Sequence, residues 1–374
     1  MMSSEPPSFL PGAVADDFYH LYPIDIAAMQ LLGVKHFRFS ISCSRILPDG
    51  DGAINQKGLD FYAQLLDALH AAGIEPHVCL YHWDLPQALQ ARFGGWNSDQ
   101  IVPAFAQFAR IVLEALGARS KYWTTINEPC TFCFQGYGIG AEAPGIHDDV
   151  PPWNCTYNVL QAHAAAVKLF RALVPTGKIG ITLNGDWGEP LTNSTADIEA
   201  AQKKNEFMVG SYADPIYLGD FPASVKDCIP FLPKITPQLA ADLNGSADFF
   251  ALNYYTSMYH PEEIVVTENG MDVKGEDAMT LAQALHDTAR INFFRDYISE
   301  AVDAVKIDKV PMTGYFVWSL LDNYEFGAGY KNRFGVAHVD YRTQQRTFKA
   351  SAMYLAGLFN TSMANVSLAY PSVA

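Results

Sequence analysis

The hydrophobic positions of this chain switch between two periods. Apolar residues three and four apart recur over residues 24–32, 59–72, 101–116 and 158–174 and predict amphipathic helices. Each is followed by a glycine (Gly33, Gly73, Gly117, Gly177) and then by a short, nearly continuous apolar run. The runs are VKHFRFSIS (34–42), IEPHVCLYHW (74–83), KYWTTINEP (121–129) and KIGITLNG (178–185). Glycine just past a helix suits the left-handed position there. Apolar runs without alternation predict strands buried on both faces, as in a parallel sheet covered by helices.

The second half continues with DFFALNYY (248–255), EIVVTENG (263–270) and, after a helix around 290–305, GYFVWSLLDN (314–323). Seven strands without a Gly-rich phosphate loop predict an α/β chain of (β/α)8 TIM-barrel type rather than a nucleotide-binding open sheet. Two features predict an incomplete barrel. No strand precedes the first helix, and the sixth helix is missing. Residues 256–262 are the whole link between two strands, and seven residues stretch to about 25 Å. Parallel neighbours need a crossover of about a dozen residues or more. The expected organisation is a disordered leader over 1–16, one domain over 17–359, and a loose tail over 360–374.

Composition narrows the partners. The chain has 374 residues, a formal net charge of −15 and 17% charged residues. That balance argues against nucleic acid and anionic membranes as partners, both of which require basic surface. No apolar run is read as a membrane span. The opening MMSSEPPSFLPG lacks the basic and apolar regions of a secretory signal, whereas five sequons (Asn154, Asn193, Asn244, Asn360, Asn365) suggest a secreted ancestry. The compartment and the oligomeric state stay open. Cys130 and Cys133 have a CxxC-like spacing, but without a second pair they predict no metal site.

In such barrels the chemistry sits at the C-terminal ends of the strands. Those ends carry Arg38, Ser40, His82-Trp83-Asp84, Asn127-Glu128, Asn184, Asn253, Tyr255, Glu268-Asn269 and Trp318, with Asp322 and Glu325 just beyond. Cleavage of a sugar acetal needs one carboxylic acid to protonate the leaving oxygen and a second carboxylate to attack or to activate water. Aromatic faces suit the CH faces of a sugar, and amides bond its hydroxyls. A lone strand-end glutamate is more often a cap or an ion-pair partner. Two of them, each beside an asparagine, favour the catalytic reading.

The motifs FRFSIS (37–42), LYHWDLPQAL (80–89), TINEP (125–129), NYYT (253–256), VTENG (266–270) and FVWSLLDNYEFGAGY (316–330) resemble glycoside hydrolase family 1, the retaining β-glucosidases and their relatives. The resemblance runs from about Asp17 to Phe359. It implies Glu128 as general acid/base and Glu268 as nucleophile, about 5–5.5 Å apart for retention. It implies a glycone subsite of His82, Trp83, Asn127, Asn253, Tyr255, Trp318, Glu325 and Phe326, with Arg38 and Tyr255 supporting the nucleophile. It implies a small β-glycoside substrate and neither cofactor nor metal.

The chain also departs from the family pattern. It has no opening strand with a glycone-binding glutamine and no helix-bearing segment between NYYT and TENG. Phe326 stands where tryptophan is usual, and Cys43 likewise. The serine-and-lysine pattern of 6-phosphosugar enzymes is absent, so an unphosphorylated glycone is expected. Two readings stay open at this point: a working β-glycosidase, or an inactive or shortened relative with at most weak sugar binding.

Overall fold

Helix and strand alternate as the periodicity predicts. Helix α1 (Phe18–Leu31) leads to β1 (His36–Ser40), α2 (Gln56–Ala71) to β2 (Glu75–Tyr81), α3 (Ile101–Leu116) to β3 (Tyr122–Asn127), and α4 (Pro151–Leu173) to β4 (Lys178–Asn184). After several short helices, α5 (Pro237–Leu243) precedes β5 (Phe250–Asn253) and β6 (Ile264–Glu268). Then α6 (Thr288–Lys306) precedes β7 (Met312–Tyr315). A hairpin, β8 (Ala337–Asp340) with β9 (Gln345–Phe348), and α7 (Ala350–Phe359) close the described chain. The molecule is a computed structural model in which residues 14–254 and 264–359 are described.

Strands β1 to β7 form one sheet in chain order, each parallel to the next. The seven strands are those the sequence predicts. Their outward residues pack under the helices in one large core that includes Val78, Leu80, Trp123, Ile126, Ile179 and Ile181. Among the described residues no ladder joins β7 back to β1, so the barrel is incomplete. A cavity of about 630 Å³ lies along this seam. Met29 of α1 and Leu32 just after it, Ala352 and Leu355 of α7, Phe316 beyond β7, and Arg38 and His36 of β1 are among its lining residues. Strands β5 and β6 pair in parallel although only residues 254–263 separate them, too few for a covering helix.

Several expectations need correction. Helix α1 starts at Phe18 and contains Pro23 within it, where the periodicity suggested a start after that proline. Gly33 and Gly73 take the expected left-handed conformation at φ 75° and 72°. Gly117 does not, at φ −55°; a Cβ there would crowd Val174. Residues 101–119 are apolar and long enough by composition to cross a bilayer, contrary to the sequence reading. In this fold the apolar face of α3 (Phe105, Phe108, Val112, Leu113) lies in the core. Cys133 forms a disulfide with Cys155 on α4, a pairing the CxxC spacing did not suggest.

Of the expected leader, residues 14–16 are described and tied down. Gln344 donates to the Ala15 carbonyl at 2.9 Å, and Arg346 bonds the Asp16 carbonyl. Residues 1–13 and the tail over 360–374 lie outside the described residues.

Candidate active site

Strand β3 delivers Asn127 and, one residue past its end, Glu128; β6 ends on Glu268. Register shifts interrupt the β3–β4 pairing before Asn127 and the β5–β6 pairing before Asn253. Such irregularities re-aim side chains that strict alternation would send elsewhere. Glu128 itself has φ 46°, and Trp83 and Phe326 have φ 74° and 42°. A left-handed backbone at a non-glycine residue costs on the order of 1–3 kcal/mol and persists where its surroundings enforce it. Three of the expected site residues carry that strain.

Arg38 organises the centre. Its Nη1 donates to Glu268 Oε1 at 2.6 Å, and its Nη2 donates to Asn127 Oδ1 at 2.6 Å. Asn253 Nδ2 donates to Asn127 Oδ1 at 3.1 Å and to Glu128 Oε1 at 2.6 Å. A continuous chain of hydrogen bonds therefore links the two glutamates through a guanidinium and two amides. Both carboxyls are largely withdrawn from water, with Glu128 9% and Glu268 4% exposed. Burial, and then the charge of Glu268, push the Glu128 carboxyl up to about 7, against the hydrogen bonds from Asn253 and Thr131.

The aromatic wall stands beside this chain. Burial, helped by the Arg38 charge, lowers His82 to about 3, so its imidazole is neutral near pH 7. A neutral Nε2 can accept from Asn127 Nδ2, 3.1 Å away. Trp83 Nε1 donates to the Asn127 carbonyl at 2.9 Å. The His82 ring stacks at 6.2 Å from Trp318 and 6.0 Å from Phe326, and Trp83 lies 4.6 Å from Phe326. Trp318 Nε1 donates to Glu325 Oε1 at 3.3 Å, and burial pushes the Glu325 carboxyl up to about 7.

Backbone bonds fix the turn after Glu268 to this wall. Asn269 N donates to Phe316 O at 3.1 Å, and Trp318 N donates to Asn269 O at 2.8 Å. Gly270 follows, and a Cβ there would collide with the carbonyl oxygen of Trp318. Asp322, one of the strand-end carboxylates of the sequence, is fully buried in a cluster of ion pairs. It accepts from Lys349 Nζ at 2.9 Å and Arg333 Nη1 at 2.8 Å, and from the Gly335 amide at 3.0 Å. Nearby, Arg290 pairs with Glu276 at 2.7 Å and with Asp287. This buried charge cluster braces the loop that carries Trp318 and Glu325.

The structure brings together Arg38, His82, Trp83, Asn127, Glu128, Asn253, Glu268, Trp318, Glu325 and Phe326. Tyr255 lies outside the described residues. Sequence reasoning missed Thr131 and Thr267, whose hydroxyls bond Glu128 Oε2 at 3.1 Å and Asn253 Oδ1 at 2.7 Å. Their positions three residues after and one before the two glutamates were the available signal. Among the described residues no cluster of His, Cys, Asp and Glu could hold a metal ion.

The glycosyl hydrolase family 1 profile matches residues 8–262 and 257–363, two stretches that meet in the link between β5 and β6. Beta-glucosidase 1B of Phanerodontia chrysosporium is 39% identical over 421 residues, covering 94% of this chain and 78% of that protein. Beta-glucosidase A of Thermotoga maritima is 38% identical over 395 residues, covering 93% and 87%. Both alignments are longer than the chain's 374 residues, so the relatives carry segments that this chain lacks. Among solved structures, the rice Os3BGlu6 beta-glucosidase superposes with a TM-score of 0.90 at 34% identity, covering 94% of this chain and 90% of that one. The Humicola insolens GH1 beta-glucosidase in complex with glucose gives 0.90 at 37%, covering 96% and 91%. With sequence, fold and strand-end carboxylates in agreement, the chain belongs to glycosyl hydrolase family 1, the retaining β-glycosidases its motifs resemble.

Proposed function

We propose that this chain hydrolyses unphosphorylated β-D-glucosides by double displacement, with Glu268 as nucleophile and Glu128 as acid/base. The observation that carries the reading is the hydrogen-bonded chain from Glu268 through Arg38, Asn127 and Asn253 to Glu128. It sets the two carboxyls in opposite conditions. Glu268 lies against a fixed cation, as an ionised nucleophile requires, whereas Glu128 is held near the protonation midpoint at neutral pH.

In the first step Glu268 attacks the anomeric carbon while Glu128 gives its proton to the departing oxygen. The glycosyl ester on Glu268 has then replaced the glycosidic bond. In the second step Glu128, now a carboxylate, takes a proton from water as the water oxygen attacks the anomeric carbon and releases Glu268. His82, Asn127 and Glu325 supply bonds to glycone hydroxyls, and Trp318 supplies the ring platform. The presence of both carboxylates and their amide partners disfavours the inactive alternative.

The test uses 4-nitrophenyl β-D-glucoside, with the anomeric product followed by proton NMR before mutarotation. β-Glucose as first product is expected. A 2-deoxy-2-fluoroglucoside with a good leaving group should label Glu268, located by peptide mass. First-formed α-glucose, or label on another residue, would overturn the assignment.

A further inference from the structure

We propose that Asn253, oriented by Thr267, designates Glu128 Oε2 as the oxygen that carries the catalytic proton, and that Thr131, aligned by Asn184, positions that oxygen. The proposal rests on the assignment of Glu128 as acid/base and adds the atom and its positioning residues. Its starting point is a group of fixed polarity. A guanidinium donates and cannot accept. Arg38 Nη2, 2.6 Å from Asn127, therefore faces the oxygen end of that amide. The Asn253 atom that also meets Asn127 Oδ1, at 3.1 Å, must then be an N–H donor. The same nitrogen lies 2.6 Å from Glu128 Oε1.

Thr267 Oγ1, 2.7 Å from the other end of the Asn253 amide, donates to its oxygen and locks the orientation. Both carboxyl oxygens accept a bond, but Oε1 takes the shorter one. It lies 2.6 Å from an amide nitrogen that cannot accept in return, against 3.1 Å from the Thr131 hydroxyl to Oε2, which makes Oε1 the carbonyl-type oxygen of the acid. The acid proton belongs on Oε2.

Oε2 has its own support. Asn184 Nδ2 donates to Thr131 Oγ1 at 2.8 Å, and Thr131 Oγ1 donates to Oε2 at 3.1 Å. A hydroxyl has one proton, so a Thr131 oxygen occupied by Asn184 turns that proton to the carboxyl. One side of Oε2 is taken, and its proton points along the remaining direction, towards the leaving oxygen. The charged and titratable groups facing Glu128 are Arg38 from β1, Glu268 from β6 and Cys130 in its own turn, with His82 from the end of β2 reaching Asn127. Thr131 and Asn253 add hydrogen bonds that favour the carboxylate over the acid.

The roles separate from a merely structural one by leaving-group dependence and by pH. Acid catalysis matters for a poor leaving group and little for a good one. The experiment compares kcat/KM for methyl β-glucoside and 2,4-dinitrophenyl β-glucoside in Thr131→Val, Thr131→Ser and Thr267→Val, each checked by thermal unfolding. We expect the valine variants to lose roughly tenfold on the methyl glucoside, a part of the 10²–10⁴ that general acid catalysis supplies, and at most about twofold on the activated one. In Thr131→Val the basic limb of the kcat/KM profile should move to higher pH while the rate falls, and Thr131→Ser should restore both.

Equal losses on the two substrates with an unmoved basic limb would reduce both residues to structural parts. Unchanged kinetics would overturn the proposal outright. If Thr131→Val fails to fold, Thr267→Val and Thr131→Ser carry the same comparison. Failure of the underlying assignment reads differently: Glu128→Ala would then retain methyl glucoside activity, or azide would fail to rescue its turnover of the dinitrophenyl substrate.

Discussion

The arc from β2 to β6 and the seam between β7 and β1 are made from the same alternation of helix and strand, yet they end differently. Along the arc every strand has neighbours on both sides, and the strand-end side chains bond one another in an unbroken network. At the seam no ladder closes the barrel among the described residues, and an apolar cavity of about 630 Å³ takes its place. The two meet at Arg38, which lines the cavity and also holds Glu268. A lost barrel segment thus removes wall and stability before it removes carboxylates, because each carboxylate is positioned by partners on other strands.

The largest effect should come from the arc. Glu268→Gln keeps the shape but leaves the buried Arg38 guanidinium against a neutral amide, so its unfolding temperature should fall, and the activity is compared at a temperature where both proteins are folded. Its kcat on an aryl glucoside should fall by roughly 10⁴-fold or more, the scale of losing a nucleophile. Appreciable residual turnover would move the chemistry away from this arc.

Next is the brace behind the aromatic wall. Lys349→Met leaves Asp322 buried with one cation fewer, and breaking a buried pair in this way costs about 3–5 kcal/mol. Urea unfolding measures the loss. A KM increase should accompany it if the loop with Trp318 and Glu325 loosens. A variant of unchanged stability would show that the seam side needs no such brace.

A smaller, graded effect is expected from pH. In the proposed mechanism Glu128 works in its protonated form in the first step, and its carboxyl is raised to about 7. Activity governed by that proton is kept below this pH and lost as pH rises through it. For methyl β-glucoside, kcat/KM should fall by about tenfold per unit well above pH 7. A flat profile to pH 9 would break the link between the buried arc and catalysis.

The smallest effect belongs to the seam itself. An anilinonaphthalene sulfonate should bind the apolar cavity with blue-shifted emission. At ten times its Kd it should stabilise the fold by about 1.4 kcal/mol. Absence of binding to the native protein would show the seam to be closed to solutes.

What was legible in the sequence follows the same division. The strands of the arc were readable because buried parallel strands are continuous β-branched and aromatic runs, and their ends could be listed as candidate chemistry. The link between β5 and β6 was readable from chain length alone. The contacts between ends were not, since Asn253 reaches Asn127 and Glu128 across 126 and 125 residues through register shifts that alternation does not encode. The Cys133–Cys155 disulfide, the β8–β9 hairpin and the Arg290 ion pairs were missed for a related reason. Each pairs short or polar segments that carry no periodic signal of their own.

One close approach has a practical reach beyond the fold. At Gly270 the turn behind Glu268 and the backbone of Trp318 touch without room for a methyl group, and Asn269 bonds both flanks. The proposed nucleophile and the proposed sugar platform are therefore one rigid casting. An engineer who reshapes the platform at Trp318 to admit a different sugar will shift the attacking oxygen with it. Selectivity at this face will change together with speed.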